Sequence, residues 1–290
     1  KNDLKSLEKK LDGRGGSQVK ALAELIANSE KNILQKNQKE STEFFDLSLE
    51  EKGAQGVGAW NYADKAVIVN PKGAVYIVSL EKKSLESRTF SQLSNITLAG
   101  LDEQTVYVYK RGSGILKIES EGSKPTVAIK EDKEWGAITD LRVFNKNLYL
   151  LDSKKGQIYK YVPTDDGFAT RSSYFKSGAY AQGATSFAID QSVYVSQSNL
   201  VTKYTGGLQD GFSTQYPSDE PTVTRVITGE DLEDLYLWDK SKSSIVILSK
   251  TGNYQSEVES PIFSKAMGIM VYKDSAYALQ GSKLYRVLLK

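Results

Sequence analysis

The pattern of apolar and polar positions changes near residue 42. Beyond that point, short runs of Val, Ile, Leu and Tyr alternate with turns rich in Gly, Asn, Asp, Ser and Lys, which predicts a succession of β-strands. Before it, apolar residues recur at helical spacing on both sides of the glycine break at 13–16. These residues are Leu4, Leu7, Leu11, Val19, Leu22, Ile26 and Ile33. We therefore predict an α-helical segment over 1–41, as a hairpin or a stalk, and an all-β domain over 42–290.

The strand-rich part repeats itself. The stretch LYLLDSKKGQIYKYV at 148–162 returns at 235–249 as LYLWDKSKSSIVILS. Alignment on the Tyr of this stretch gives six copies spaced about 42 residues apart. Their equivalent positions are Ile68, Tyr107, Tyr149, Tyr194, Tyr236 and Tyr277. Copies of this length, each too small to bury both faces of its own sheet, predict a six-bladed β-propeller.

The two ends of the repeat array complement each other. The last copy supplies only three strands before Lys290, and a strand-like stretch TEFFDLSL at 42–49 precedes the first copy. Pairing of this stretch with the last copy would close the ring and remove its exposed edges. We therefore predict that 42–49 is the outermost strand of the sixth blade.

Composition restricts the chemistry of any site. The formal charge of +2 is too small for the basic face that nucleic acid requires, so we expect no nucleic-acid partner. The chain has neither Cys nor His, which removes the commonest metal ligands, thiol nucleophiles and neutral-pH general base. We expect no metal and no cofactor. No apolar run reaches the roughly twenty residues that cross a bilayer, so no membrane-spanning segment is expected in this chain.

The tetrapeptides YLLD at 149–152 and YLWD at 236–239 occupy matching positions of their copies. They resemble the Tyr-Trp-Thr-Asp signature of six-bladed propellers in lipoprotein-receptor-type ectodomains, and the repeats are similar to NHL-like and TolB-like propellers as well. In that signature the Asp is structural, so the resemblance implies a structural role for Asp152 and Asp239.

The overall arrangement carries a second resemblance. A helical segment followed by a propeller without His or Cys is similar to the extracytoplasmic part of bacterial membrane-anchored proteins whose cytoplasmic half is a serine/threonine phosphatase-like module. This resemblance implies an extracytoplasmic location and an anchor in the membrane through sequence upstream of Lys1.

The loops of one propeller face are the candidate binding surface. In a propeller, the turns between second and third strands and the connections between blades surround the channel mouth together. Aromatic and Arg side chains dominate binding hot spots, so we expect ligand contacts from Trp135, Tyr180, Lys110 and Arg111. The alternative for these loops is a solvated rim without a partner.

These observations favour a non-catalytic binding module, as a sensor or recognition domain for a protein, peptide or glycan. The inner strands begin with Gly and Ala rather than Glu or Asn, and His is absent, so we expect that the protein is not an enzyme. Two alternatives stay open. One is a metal-dependent hydrolase of the lactonase type that uses axial carboxylates, and the other is a structural assembly module.

Overall fold

The computed structural model describes residues 20–26, 29, 34–90, 93–120, 122–176, 181–217 and 219–290. A short helix, α1, spans residues 20–26, and strands make up most of the remaining described chain. Among the described residues, six blades of four antiparallel strands follow one another along the chain; a parallel strand extends the edge of one blade, and a separate two-stranded hairpin belongs to another. The predicted six-bladed β-propeller with an N-terminal helical appendage is thereby confirmed. No helix among the described residues is long and apolar enough to cross a bilayer.

The elements follow one another in blades. The N-terminal elements after α1 are β1 (Lys36–Gln38), β2 (Thr42–Asp46) and the helical turn α2 (Leu47–Glu50). Blade 1 consists of β3 (Gly58–Tyr62), β4 (Lys65–Asn70), β5 (Ala74–Ser79) and β6 (Leu85–Thr89). Blade 2 consists of β7 (Ile96–Asp102), β8 (Thr105–Lys110), β9 (Gly114–Ile118) and β10 (Thr126–Lys130).

Blade 3 consists of β11 (Ile138–Phe144), β12 (Asn147–Asp152) and β13 (Gln157–Tyr161), then a hairpin of β14 (Pro163–Thr164) and β15 (Gly167–Phe168), and the outer strand β16 (Ser172–Ser173). Blade 4 consists of β17 (Ser186–Ile189), β18 (Val193–Gln197), β19 (Leu200–Thr205) and β20 (Leu208–Gln209). Blade 5 consists of β21 (Arg225–Ile227), β22 (Asp234–Asp239), β23 (Ser244–Ser249) and β24 (Tyr254–Glu259). After the helical turn α3 (Pro261–Lys265), blade 6 consists of β25 (Gly268–Tyr272), β26 (Ser275–Gln280) and β27 (Lys283–Leu288), together with β2.

The core lies between the blades. Apolar side chains of the described residues form one cluster at each junction between neighbouring blades. The six repeat positions all fall on second strands, and Tyr194 and Tyr236 are among the largest fully buried side chains. Each blade therefore buries its faces against its neighbours, which is why the tyrosines recur at the period of the blade.

The ring closes through the N-terminal strand. β2 pairs antiparallel with β27, from Thr42 opposite Arg286 to Asp46 opposite Lys283. The strand ends at Asp46 because its carboxylate accepts from the backbone N of Ser48 at 3.0 Å and caps α2. The predicted strand 42–49 thus occupies 42–46 as a strand and continues as a helical turn. The division of the chain at residue 41 stays a prediction.

The segment before β2 differs in part from the predicted helix. Residues 36–38 form β1, which pairs parallel with the outer strand β24 of blade 5, and the Nζ of Lys36 lies 2.7 Å from Oε2 of Glu257. This strand consists of KNQ and has no apolar alternation. It forms because its backbone pairs with an open sheet edge, which requires no apolar side chains. The predicted helix of Leu4, Leu7 and Leu11 lies outside the described residues.

Candidate functional site

A cavity of about 780 Å³ lies where the six inner strands converge. Its walls come from residues 60–64, 99–103, 141–146, 188–189, 225–232, 269 and 271–273, one group from each blade. These are the later parts of the inner strands and the turns that follow them, so the cavity lies at the end of the ring where the inner strands terminate. The volume falls within the range of small-molecule sites.

Arg225 of β21 reaches across the ring. Its Nη1 donates to the backbone O of Ala59 at 2.7 Å and to that of Ile269 at 3.5 Å, and its Cζ lies 5.3 Å from the ring centroid of Trp60. Burial lowers the pKa of Arg225 to about 10, with the nearby positive charge of Arg142 as a second cause. The guanidinium therefore lies in a poorly solvated place beside a like charge.

Arg142 of β11 is fixed by one carboxylate. Its Nη1 lies 2.7 Å from Oδ1 of Asp140, which is only 2% exposed. The Oδ2 of Asp140 accepts from the backbone N of Phe187 at 3.2 Å and so joins the inner strands of blades 3 and 4. Within the described part of the chain, the Nε and Nη2 atoms of Arg142 and Arg225 have no protein acceptor. Both guanidinium groups thus keep donors for a bound molecule.

The mouth of the same cavity carries acidic side chains. Burial raises the pKa of Tyr62, and the nearby charges of Asp102, Glu103, Asp231 and Glu230 raise it further. Burial and the charge of Glu103 also raise the pKa of Asp102. None of these four carboxylates forms a salt bridge with a described residue. The described residues contain no group of three or more acidic side chains that could hold a metal ion.

Trp60 forms part of the cavity wall. It is 6% exposed, and its Nε1 has no hydrogen-bond acceptor among the described residues. A buried donor without an acceptor is unfavourable in the empty protein. The Nε1 atom is itself buried, so Trp60 contributes its ring surface to the wall and not a donor that faces the cavity.

The predicted binding residues that the structure describes, Lys110, Arg111 and Trp135, lie at the other end of the strands. Lys110 pairs with Ile96 at the beginning of β7, and the exposed Arg111 follows in the turn after β8. Trp135 precedes β11 and packs between blades, where its Nε1 donates to Oη of Tyr161 at 3.0 Å. Tyr180 lies outside the described residues. The structure separates these loops from the axial cavity, and their role in binding stays a prediction.

The sequence did contain a signal for the two arginines. Arg142 lies in the run LRVF and Arg225 in the run TRVI, each on an inner strand. A charge in the middle of such an apolar run is unusual unless the side chain has a partner or a role. Because the prediction rested on the entrances of the inner strands alone, it missed both arginines.

Comparison with known proteins identifies the fold alone. No protein family matches the sequence, and no curated protein matches it either. A streptogramin B lyase matches by structure with a TM-score of 0.58 at 11% identity, over 86% of this chain and 97% of its own. A virginiamycin B lyase from Staphylococcus aureus, solved with quinupristin, matches with a TM-score of 0.59 at 12% identity, over 86% and 99%. A gluconolactonase from Xanthomonas campestris gives 0.57 at 12% identity, over 86% and 89%.

These structures correct one prediction. The prediction from the sequence that the protein is not an enzyme is wrong, because the similar solved structures include two lyases and a gluconolactonase. The expectation rested on the absence of His and on small residues at the inner-strand entrances. Neither excludes catalysis by carboxylates, Lys or Tyr further along the same strands. At 11% and 12% identity the likeness assigns no reaction to this chain.

Proposed function

We propose that the protein binds a small molecule with an anionic group in its axial cavity, and that Arg142 and Arg225 contact this group. The observation that carries the proposal is the pair of guanidinium groups in one cavity, each with Nε and Nη2 unsatisfied by the described residues. Arg matches carboxylate and phosphate oxygens with two parallel hydrogen bonds, so the free donors suit such a group.

The energetics of the empty cavity support the same conclusion. Two like charges in a poorly solvated place destabilise a protein unless an opposite charge offsets them, and Asp140 provides a single carboxylate for both. Such arrangements concentrate at functional sites. The structural role of Arg225, in which Nη1 joins blade 5 to blades 1 and 6, uses only one of its nitrogens.

Calorimetry with inorganic phosphate, sulfate, acetate and succinate tests the proposal. Arg225→Lys keeps the charge but removes the paired donors, and we expect it to weaken binding about tenfold or more, the loss of one charge-assisted hydrogen bond. Arg111→Lys is the matched control at the opposite end of the strands. Absence of binding by all four anions contradicts the proposal, as does an effect of Arg111→Lys in place of Arg225→Lys.

A reaction on the bound molecule is a second candidate function. It is favoured by Asp102, a cavity carboxyl whose pKa is raised by burial, which is a property of proton-transfer groups. An assay that monitors the acid released by hydrolysis of lactones and esters tests this second function. Turnover that is lost in Asp102→Asn while anion binding is retained would support catalysis, and turnover unchanged in that variant would contradict it.

We also propose, from the resemblance to bacterial membrane-anchored proteins, that the propeller is an extracytoplasmic sensor or recognition module, anchored through sequence upstream of Lys1. The buried positions of Asp152 and Asp239 support the resemblance of the blades. Fractionation of cells that express the gene with its upstream sequence tests the location. Recovery of the protein in the cytoplasmic fraction would contradict this proposal without affecting the axial cavity.

A further inference from the structure

The charge of the axial cavity reverses along its length. Arg142 and Arg225 lie within the inner strands, whereas Asp102, Glu103, Glu230 and Asp231 lie at the strand ends and in the turns beyond them. Two lysines, Lys146 and Lys273, line the cavity at the same end, so the mouth is mixed in charge with an excess of carboxylates. The cationic part is held in place by Asp140 and by backbone carbonyls. The acidic part has no basic partner in salt-bridge contact among the described residues. A molecule in this cavity therefore meets positive charge at one end and an excess of negative charge at the other.

The separation of the two ends follows from strand β3. The carbonyl of Ala59 accepts from Arg225, and Tyr62, three residues further on, is the aromatic side chain among the acidic residues of the mouth. Three residues of extended strand span about 10 Å. A chain of roughly seven or eight carbon atoms covers that distance when extended.

On the basis of the proposed function, we propose that the ligand is zwitterionic, a compound of the amino-carboxylate type. Its anionic group contacts Arg142 and Arg225, and its amine reaches Tyr62 and the acidic mouth. The compound class follows from the cavity itself, which offers donors to the anion and an aromatic face with carboxylates to the cation.

An anion without an amine fits this cavity less well. It must pass the four carboxylates of the mouth, which repel it, and it leaves them unpaired after binding. Tyr62 is 40% exposed, so its ring is open to a cation at the mouth. Trp60 lines the wall between the two ends, so an extended ligand passes an apolar aromatic surface. Each of these features favours a molecule that extends from the arginines to the mouth.

Paired probes of equal length separate the contribution of the amine from that of the anionic group. We would measure, by calorimetry on the whole chain, the affinities of ω-amino acids from 4-aminobutanoate to 8-aminooctanoate and of the unsubstituted fatty acids of the same lengths. We expect at least one ω-amino acid to bind about tenfold more tightly than its matched fatty acid, a preference of the size that a partly desolvated cation on an aromatic face gives. We expect the preference to be greatest among the longer probes.

Variants of the mouth complete the test. The double variant Glu230→Gln with Asp231→Asn should reduce the preference for the amine, because two of the four carboxylates lose their charge, while fatty acids bind as well as before or better. Glu233→Gln is the matched control, because Glu233 lies in the same loop, is exposed and does not line the cavity. In this control variant, the preference for the ω-amino acid over the fatty acid should equal that of the unmodified protein.

The outcomes separate the inference from the proposed function. Equal binding of ω-amino acids and fatty acids, both weakened by Arg225→Lys, would overturn the zwitterionic ligand and leave the anion site intact. A preference for the amine that is undiminished in the double variant would overturn the role of the mouth. Absence of binding by every probe would overturn the proposed function and this inference with it.

Discussion

Asp152 and Asp239 show how single residues hold a blade together. Both carboxylates are fully buried at the end of a second strand. Asp152 accepts from the backbone N atoms of Gly136 at 2.6 Å, Ala137 at 2.9 Å and Lys155 at 3.0 Å. Asp239 makes the same kind of contacts with the backbone N atoms of Thr222 and Lys242. Each joins the loop that enters its blade to the turn that leaves its second strand.

Replacement of Asp152 by Asn should destabilise the protein. The amide nitrogen would bring a donor against a backbone N–H that now donates to the carboxylate, which leaves a buried group unsatisfied. We expect the free energy of unfolding to fall by about 1.5–3 kcal/mol, as for hydrogen bonds to charged groups. Urea unfolding measures it, with Asp165→Asn in the exposed turn of 165–166 as the control. Equal unfolding midpoints for the two variants would contradict the structural role.

Replacement of Asp102 by Asn should instead stabilise the protein at neutral pH. Its pKa is raised by burial and by the charge of Glu103, so the ionised carboxylate destabilises the folded protein at neutral pH. The folded protein binds the proton more tightly than the unfolded chain, so this penalty disappears as pH falls through the raised pKa towards the ordinary value of 3.8. Asp102→Asn should therefore raise the melting temperature at pH 7 and have progressively less effect towards pH 4. A constant difference over that range would show that the charge is not the cause.

At the scale of elements, the sequence predicts the strands that pack between blades. It does not predict an edge strand or a strand end that single polar contacts determine. The second strands have apolar alternation, and they lie where the repeat predicts them because they are buried from both sides. Strand β1 has no such signal, since it is held by pairing to the edge of β24 and by Lys36. The end of β2 at Asp46 depends on a cap that competes with continued pairing. Such local competition is weakly encoded in the pattern of apolar residues.

The closing segment offers a matched pair of substitutions. Leu47, the first residue of α2, is fully buried in the cluster between blades 6 and 1, whereas Leu49 is 81% exposed. Leu47→Ala should lower the free energy of unfolding by about 2–5 kcal/mol, the range for a buried Leu. Leu49→Ala should leave it within about 0.5 kcal/mol of the unmodified protein. Chemical denaturation measures both, and a small effect of Leu47→Ala would argue that this segment is not required for closure.

At the scale of the whole molecule, the candidate site is built by the ring and cannot be found in any one repeat. Arg142, Arg225, Tyr62 and Asp102 come from four different blades, and only the convergence of the inner strands brings them to one cavity. Sequence reasoning could assign each to an inner strand or to its following turn. It could not show that the two arginines lie near each other, because that depends on the tilt of the strands around the axis.

Ligand binding should therefore stabilise the ring as a unit. A molecule in the cavity contacts inner strands of several blades, so ring opening requires its release, and saturation at 100 times Kd adds about 2.7 kcal/mol to stability. We expect hydrogen exchange to slow in β3, β11 and β21 alike when the tightest anion of the panel is added, because their slowest amides exchange through opening of the ring. The Arg225→Lys protein at the same anion concentration is the control and should show little added protection. Protection confined to blade 5 would mean that the anion contacts Arg225 locally and that the cavity does not couple the blades.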